Sequence, residues 1–230
     1  MSEAAPPQSR RERLRAQTLA EIRDHAFAQV DAGGPQALSL NAIGKAMGMS
    51  GPAIYRYFKG RDELVAALVA DAYAELVAEL EHAAAGSARR TPAKRLMAVA
   101  AVYRAWALAH PHRYALLFGE PAEQRVEGEE AVAQIHGGML ILLDLLGQLH
   151  GGDDGERRSR LDQQLAAWAD RRGAPTSSPL VLRLGVLTWT RLHGIVGLEL
   201  AGVFADMRLD ADLLLAAEVD AIVTAASGGT

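Results

Sequence analysis

The chain has 230 residues, half of them hydrophobic; Ala (44) and Leu (31) supply about a third of the total, while aromatics number only 12. That balance favours helices over strands and allows one or two domains with a sizeable core. The absence of cysteine excludes a disulfide scaffold, thiol catalysis and Cys-based metal sites. No charge-free run, 131–143 included, exceeds 13 residues, short of the ~18 of a membrane span. The opening MSEAAPPQSRRER carries charge but no apolar core, so no secretory signal is expected and the chain reads as cytoplasmic. The net charge of −4 hides an asymmetry: residues 8–61 hold nine Lys and Arg against four acids, leaving about −9 for the remainder. Such a distribution suits a polyanion-binding head on an acidic body, or simply a solvated charged face.

Residues 1–8 read as a disordered tail. From Arg11 to Val30, the apolar residues Leu14, Leu19, Ile22, Ala26, Phe27 and Val30 recur at helical spacing, and Gly33-Gly34-Pro35 stops that helix. Ser39 is placed to cap a short helix from Leu40 to Met47, with Ile43 and Met47 on one face. Gly48 follows where a left-handed residue is needed. Ser50 is placed to cap the next short helix, with Pro52 in its first turn and Ile54 and Phe58 four apart on its inner side. Asp62-Glu63 then begin a long helix through Leu64, Leu68, Ala72, Leu76 and Leu80. Gly86-Ser87 breaks the pattern and marks a boundary between head and body. Further helices are expected near 91–109, 112–119, 128–149, 157–171, 179–205 and 210–226.

Helix, Gly-containing tight turn and short second helix make a helix-turn-helix, whose second helix enters the DNA major groove. Ser50, Gly51, Pro52 and Ala53 are small and let the backbone approach closely. Tyr55, Arg56 and Tyr57 project one turn further on, where phenolic and guanidinium groups reach phosphates and base edges. Lys59 and Arg61 flank the next helix start, where backbone N–H groups also attract phosphate. Ser39, Ile43-Gly44, Met47-Gly48-Met49-Ser50, Ile54-Tyr55, Tyr57-Phe58 and Arg61-Asp62-Glu63-Leu64 resemble the DNA-binding domain of the tetracycline-repressor (TetR) family. Gly44 and Met47 stand where the family often has Ala, and Arg61 replaces Lys. Asn41 falls where the family often reaches a base; its amide pairs with adenine or is merely solvated. Arg10 to Arg15 follow the DNA backbone, enter the minor groove, or stay in water. Trp189-Thr190-Arg191-Leu192-His193-Gly194 with Leu198-Glu199-Leu200, and Pro111 to Phe118, resemble the Trp…His-Gly class of C-terminal domain in the same family.

In the body, Tyr103, Trp106, Tyr114, Phe118 and Met139 line an apolar pocket or belong to the core. Trp189 and His193 share a helix face and touch a ligand, or form a core or interface pair. Thr190, Gly194, Gly197 and Ala201 make a small-residue stripe beside Leu198. Together with Leu213, Leu214, Ala217 and Ala221 it fits a dimer interface, ordinary intrachain packing being the other reading. Gly137-Gly138 inside an apolar helix costs about 1 kcal/mol per Gly relative to Ala, a hint of a pocket wall or a kink. There is no P-loop, dinucleotide fingerprint, Gly-x-Ser-x-Gly or His-Glu-x-x-His, and no metal site or cofactor is expected.

The resemblance implies an all-α regulator: a three-helix helix-turn-helix domain (9–64), a connecting helix (65–86), and a ligand-binding and dimerisation domain (87–230). It implies a homodimer on a palindromic DNA operator, released by a small-molecule effector, with no membrane partner. The aromatic and glycine content of 103–139 and 185–197, without a charged cluster, makes an apolar or aromatic effector the expectation. A DNA-bound structural or cell-cycle factor of the same fold without an effector, and an all-α enzyme, are the other readings.

Overall fold

Polar caps and glycines set the helix limits, and the apolar periodicity between them decides which face is buried. The computed structural model describes residues 9–86, 90–119, 129–151, 159–176 and 178–228; over these the fold is all-α, without a strand. In chain order come α1 (Arg10–Gly33), a 3-10 turn (Pro35–Ala37), α2 (Leu40–Ala46), α3 (Gly51–Ile54), α4 (Arg61–Gly86) and α5 (Pro92–Ala109). There follow α6 (Pro111–Phe118), α7 (Glu129–Leu149), α8 (Arg160–Arg172), α9 (Pro179–Leu200), α10 (Val203–Met207) and α11 (Ala211–Ala226). The described residues fall into two compact units, one of 9–72 with 112–119, the other of 73–86, 90–111 and those from 129 onward. No helix among them is long and apolar enough to cross a membrane.

In the first unit, Ser9 and Glu12 close a capping box at the start of α1: each backbone N–H donates to the other's side chain, at 2.8 and 3.2 Å. Ile22, Ala26 and Val30 lie four apart and are fully buried. Leu14, which belongs to the same periodic stripe, is 55% exposed, because the first turns of α1 extend past the core. Gly34, at φ +76°, ends the helix with its N–H on the Val30 carbonyl (2.7 Å). Ser39 caps α2 through Oγ and the Ala42 N–H (3.3 Å), as its position predicts. Met47 is the C-cap of α2 rather than its last helical residue, and Gly48 takes the left-handed φ of +66°. Arg23 lies 3.3 Å from Asp71, clipping α1 to α4. Burial pushes the Asp71 carboxyl above its ordinary range against the opposing pull of Arg23.

α6 joins this unit through the end of α1. Arg113 forks onto the Asp31 carboxylate (3.1 and 2.9 Å), and its guanidinium lies 4.5 Å from the Phe27 ring centroid. The His112 Nδ1 sits 2.9 Å from the Asp31 carbonyl oxygen. Asp31 thus offers its main chain to one α6 residue and its side chain to the next.

In the second unit, α9 packs against α5, α7, α8, α10 and α11. Its buried face carries Val181, Leu182, Leu184, Thr188, Leu192, Ile195 and Val196. The Gly137-Gly138 pair of α7 has a packing explanation. A Cβ on Gly137 would meet both Val77 methyls at 2.9 Å, and one on Gly138 would lie 3.4 Å from Leu80 and 3.7 Å from Trp189. Close helix approach requires Gly137, whereas the Gly138 position leaves ordinary contact room. Arg104 of α5 ties α9 to α11, donating twice to Glu199 and once to Asp212, each at 2.6 Å. The periodicity predicts one helix over 179–205. Instead Gly202, at φ +79°, ends α9 near Leu200 and sets α10 apart.

Candidate nucleic-acid interface

The recognition segment is shorter than its spacing implies. α3 covers Gly51–Ile54; Arg56 and Tyr57 then donate to the carbonyls three residues back, at 3.2 and 3.0 Å, and Phe58 shares the Ile54 carbonyl at 3.2 Å. The chain tightens into a 3-10-like turn that satisfies the last carbonyls. Ile54 and Phe58 are both buried, as their spacing predicts. The Gly44 position leaves ordinary contact room, since a Cβ there would lie 3.5 Å from Ile54.

Ser50 occupies the N-cap of α3, but its side chain makes no capping bond. The reason is local: Pro52 has no N–H, and the Ala53 N–H already donates to the Ser50 carbonyl (2.8 Å). The hydroxyl therefore remains available, beside the exposed Gly51 and Pro52 and the half-buried Ala53. Tyr55 is 45% exposed and donates its phenolic proton to the Asn41 Oδ1 (3.3 Å), joining α2 to the recognition segment. The amide nitrogen of Asn41 keeps both donors. Ser39, by contrast, spends its side chain on its own helix.

Arg56 and Lys59 are exposed. Tyr57 is half-buried, with the Arg15 guanidinium 5.3 Å from its ring centroid. Arg10, Arg11, Leu14, Arg15, Thr18, Arg56 and Tyr57 line an open groove of about 590 Å³. Four guanidinium groups and a phenol thus converge along one groove, where a phosphate backbone would be met by fixed positive charge. The sequence supplied the N-terminal arginines without a location; their convergence on Arg56 and Tyr57 needs the fold. Arg61 is partly committed, donating to the Pro35 carbonyl (2.8 Å).

The remaining candidates separate. Tyr114 and Phe118 belong to the first unit, their rings 4.9 Å apart. Tyr103, Trp106, Met139, Trp189 and His193 belong to the second. There Tyr103 packs on Trp189 (5.5 Å between centroids), and its hydroxyl lies 3.2 Å from the His193 Nδ1. Trp189 stacks on His193 at 6.3 Å. Burial holds the His193 ring below its ordinary pKa, favouring the neutral imidazole. Met139 lies beside Gly185, and Trp106 donates from Nε1 to Glu75 (3.2 Å). Of the dimer candidates, Thr190, Gly194, Ala201, Ala217 and Ala221 are exposed or half-buried, as are Gly197 and Leu214; Leu198 and Leu213 are 47% and 70% exposed.

Residues 22–68 match the family described as "Bacterial regulatory proteins, tetR family", and residues 96–222 match "Tetracyclin repressor-like, C-terminal domain". The chain is 36% identical over 112 residues to the HTH-type transcriptional regulator Rv1816 of Mycobacterium tuberculosis, covering 49% of this chain and 48% of that protein. It thus spans about half the length of the curated relatives it matches first. A solved structure of a protein described as regulatory, SCO4313, is similar at a TM-score of 0.76 and 38% identity, covering 94% of this chain and 98% of that one. The TetR family transcriptional regulator PfmR from Thermus thermophilus shares the fold, at a TM-score of 0.53 and 16% identity, with 88% and 96% covered. With both halves of the chain matched, it belongs to the tetR family of bacterial regulatory proteins, a family of helix-turn-helix transcriptional regulators and not of enzymes.

Proposed function

We propose that this chain is a repressor that occupies a roughly palindromic operator as a homodimer and leaves it when a small apolar or aromatic molecule binds the body. The arginine groove is the observation that carries the DNA-facing half of this reading: Arg10, Arg11, Arg15 and Arg56 line it with Tyr57. Ser50 to Ala53 and Arg56 read base edges, Asn41, held by Tyr55, assists from α2, and Tyr57, Lys59 and Arg61 hold phosphates. In this reading 9–64 is the DNA-binding domain, 65–86 the connecting helix, and 87–230 the effector and dimerisation domain. α4 supplies residues to both compact units, which supports its use as the connection.

A recognition segment of one α-helical turn offers few base contacts, and a two-fold dimer doubles them. Exposed Leu198 and Leu213, flanked by Thr190, Gly194, Ala217 and Ala221, support α9 and α11 as the subunit interface. Leu213 at 70% exposure is an apolar side chain with no cover of its own. The effector reading rests on Tyr103, Trp106, Met139, Trp189 and His193. A ligand that favours the arrangement not competent for DNA weakens operator binding by the same factor that the operator weakens ligand binding.

The test combines sedimentation with operator binding. Duplexes selected from a random pool by the wild-type protein should carry a two-fold symmetric site. Gly197→Glu should sediment as a monomer with an unchanged helical signal and lose operator affinity. A Gly197→Glu protein that stays dimeric and binds normally would move the interface off this face.

A further inference from the structure

A second cavity of the first unit is separate from the arginine groove. It holds about 340 Å³, and its lining includes Pro35, Arg61, Val65, His112, Ala115 and Leu116. That volume lies at the lower end of small-molecule sites. Its polar side chains are Arg61, His112 and the neutral Gln36. One Arg61 nitrogen donates to the Pro35 carbonyl, and the rest of the guanidinium fork has no partner among the described residues. His112 faces the Asp31 carbonyl with Nδ1. A carbonyl only accepts, so the Nδ1 carries the proton and Nε2 is left over. No acidic side chain lines the cavity; Val65, Ala115, Leu116 and Pro35 supply its apolar lining.

The walls are held in place before any ligand arrives. Arg113 clamps the first turn of α6 to Asp31 and Phe27, and Arg61 itself is tied to the turn after α1. Gly34, at φ +76°, gives that turn a course a side chain would strain. A cationic fork and apolar side chains lining one cavity, its walls tied in place, select an anionic head on a hydrocarbon body. We propose that this cavity binds a small organic carboxylate, its carboxylate on Arg61 beside His112 and its hydrocarbon part on Val65, Ala115 and Leu116. The site shares Arg61 with the proposed phosphate contacts but no residue with the arginine groove or the proposed effector cluster, so its failure would leave operator binding by the groove untouched.

Calorimetric titration of the full chain with octanoate, octanol and inorganic phosphate tests this. Octanoate should saturate at one per chain, with octanol and phosphate each at least ten-fold weaker. Ala115→Trp, which fills the cavity, and Arg61→Met, which removes the cation, should each weaken octanoate at least ten-fold. Ala115→Leu serves the same purpose should the larger side chain unfold the unit. No octanoate binding, octanol binding as tight as octanoate, phosphate binding as tight as octanoate, or octanoate binding that survives filling at Ala115, would each overturn the assignment.

Discussion

Removing the Arg104 side chain should cost the second unit substantial stability. The guanidinium joins three helices: two bonds of 2.6 Å to the two Glu199 oxygens and one of 2.6 Å to Asp212. The Arg104 and Glu199 side chains are only 17% and 19% exposed, whereas Asp212 is 74% exposed. Hydrogen bonding to Glu199 pushes the guanidinium pKa further up, so Arg104 stays charged at every accessible pH. Arg104→Ala leaves the Glu199 carboxylate mostly out of water and without its fork. Breaking a fully buried pair costs about 3–5 kcal/mol; the residual exposure here brings the expectation to about 2–3 kcal/mol. For a chain of this length that is a fall of about 5–10 °C in melting temperature. Asp212→Ala, at an exposed pair, should cost below about 1 kcal/mol. The double variant Arg104→Met with Glu199→Met removes both charges and should recover most of the loss, since apolar replacement of a pair is often neutral. Thermal melts followed by circular dichroism read all four proteins. An Arg104→Ala melt within about 1 °C of wild type, or a double variant less stable than Arg104→Ala, would refute this account.

The glycines of α7 should answer alanine in opposite directions. Gly137→Ala should destabilise by about 1–2 kcal/mol because its Cβ meets stiff Val77 at 2.9 Å, while Gly147→Ala, with open space around it, should stabilise by about 0.5–1 kcal/mol in the same melts. His193 has a folded-state pKa lowered by burial from the ordinary 6.5, so the unfolded chain binds the extra proton first. Stability should therefore be full above about pH 6.5 and fall as the pH drops below it, and His193→Gln should flatten urea-derived stability between about pH 7 and 5; an unchanged slope would exclude His193 as the source. On DNA, Arg61→Ala should weaken all duplexes and lower the salt slope by about 1, whereas Arg56→Ala should relax discrimination among bases, both read by fluorescence anisotropy over a salt series.

Much of the head was legible in the sequence because its determinants are local. Ser39 caps a helix whose partner N–H is three residues away, and Gly34 and Gly48 occupy turns that demand positive φ. Ile22, Ala26 and Val30 disclose the buried face of α1 through helical spacing alone. The same locality explains where the reading stopped short. Ser50 has the residue type and position of a cap, but Pro52 and the Ala53 hydrogen bond take away its donors, and the helix expected to carry both Ile54 and Phe58 closes at Ile54. Gly202 is a glycine like the others; only its φ of +79° splits α9 from α10.

What the tertiary structure decided is which distant charges and voids meet. Arg113 finds Asp31 across 82 residues, Arg104 finds Glu199 across 95, and Gly137 owes its presence to Val77 on another helix. No periodicity encodes such pairs, because each depends on the path of the chain between its members rather than on either neighbourhood. The sequence alone determined an all-helical chain, its family resemblance and its basic head. The fold decided that four arginines share a groove with Tyr57, and that Tyr103, Trp189 and His193 form one cluster while Tyr114 and Phe118 pair elsewhere. Side chains far apart in sequence gain a common surface only after the helices between them have packed.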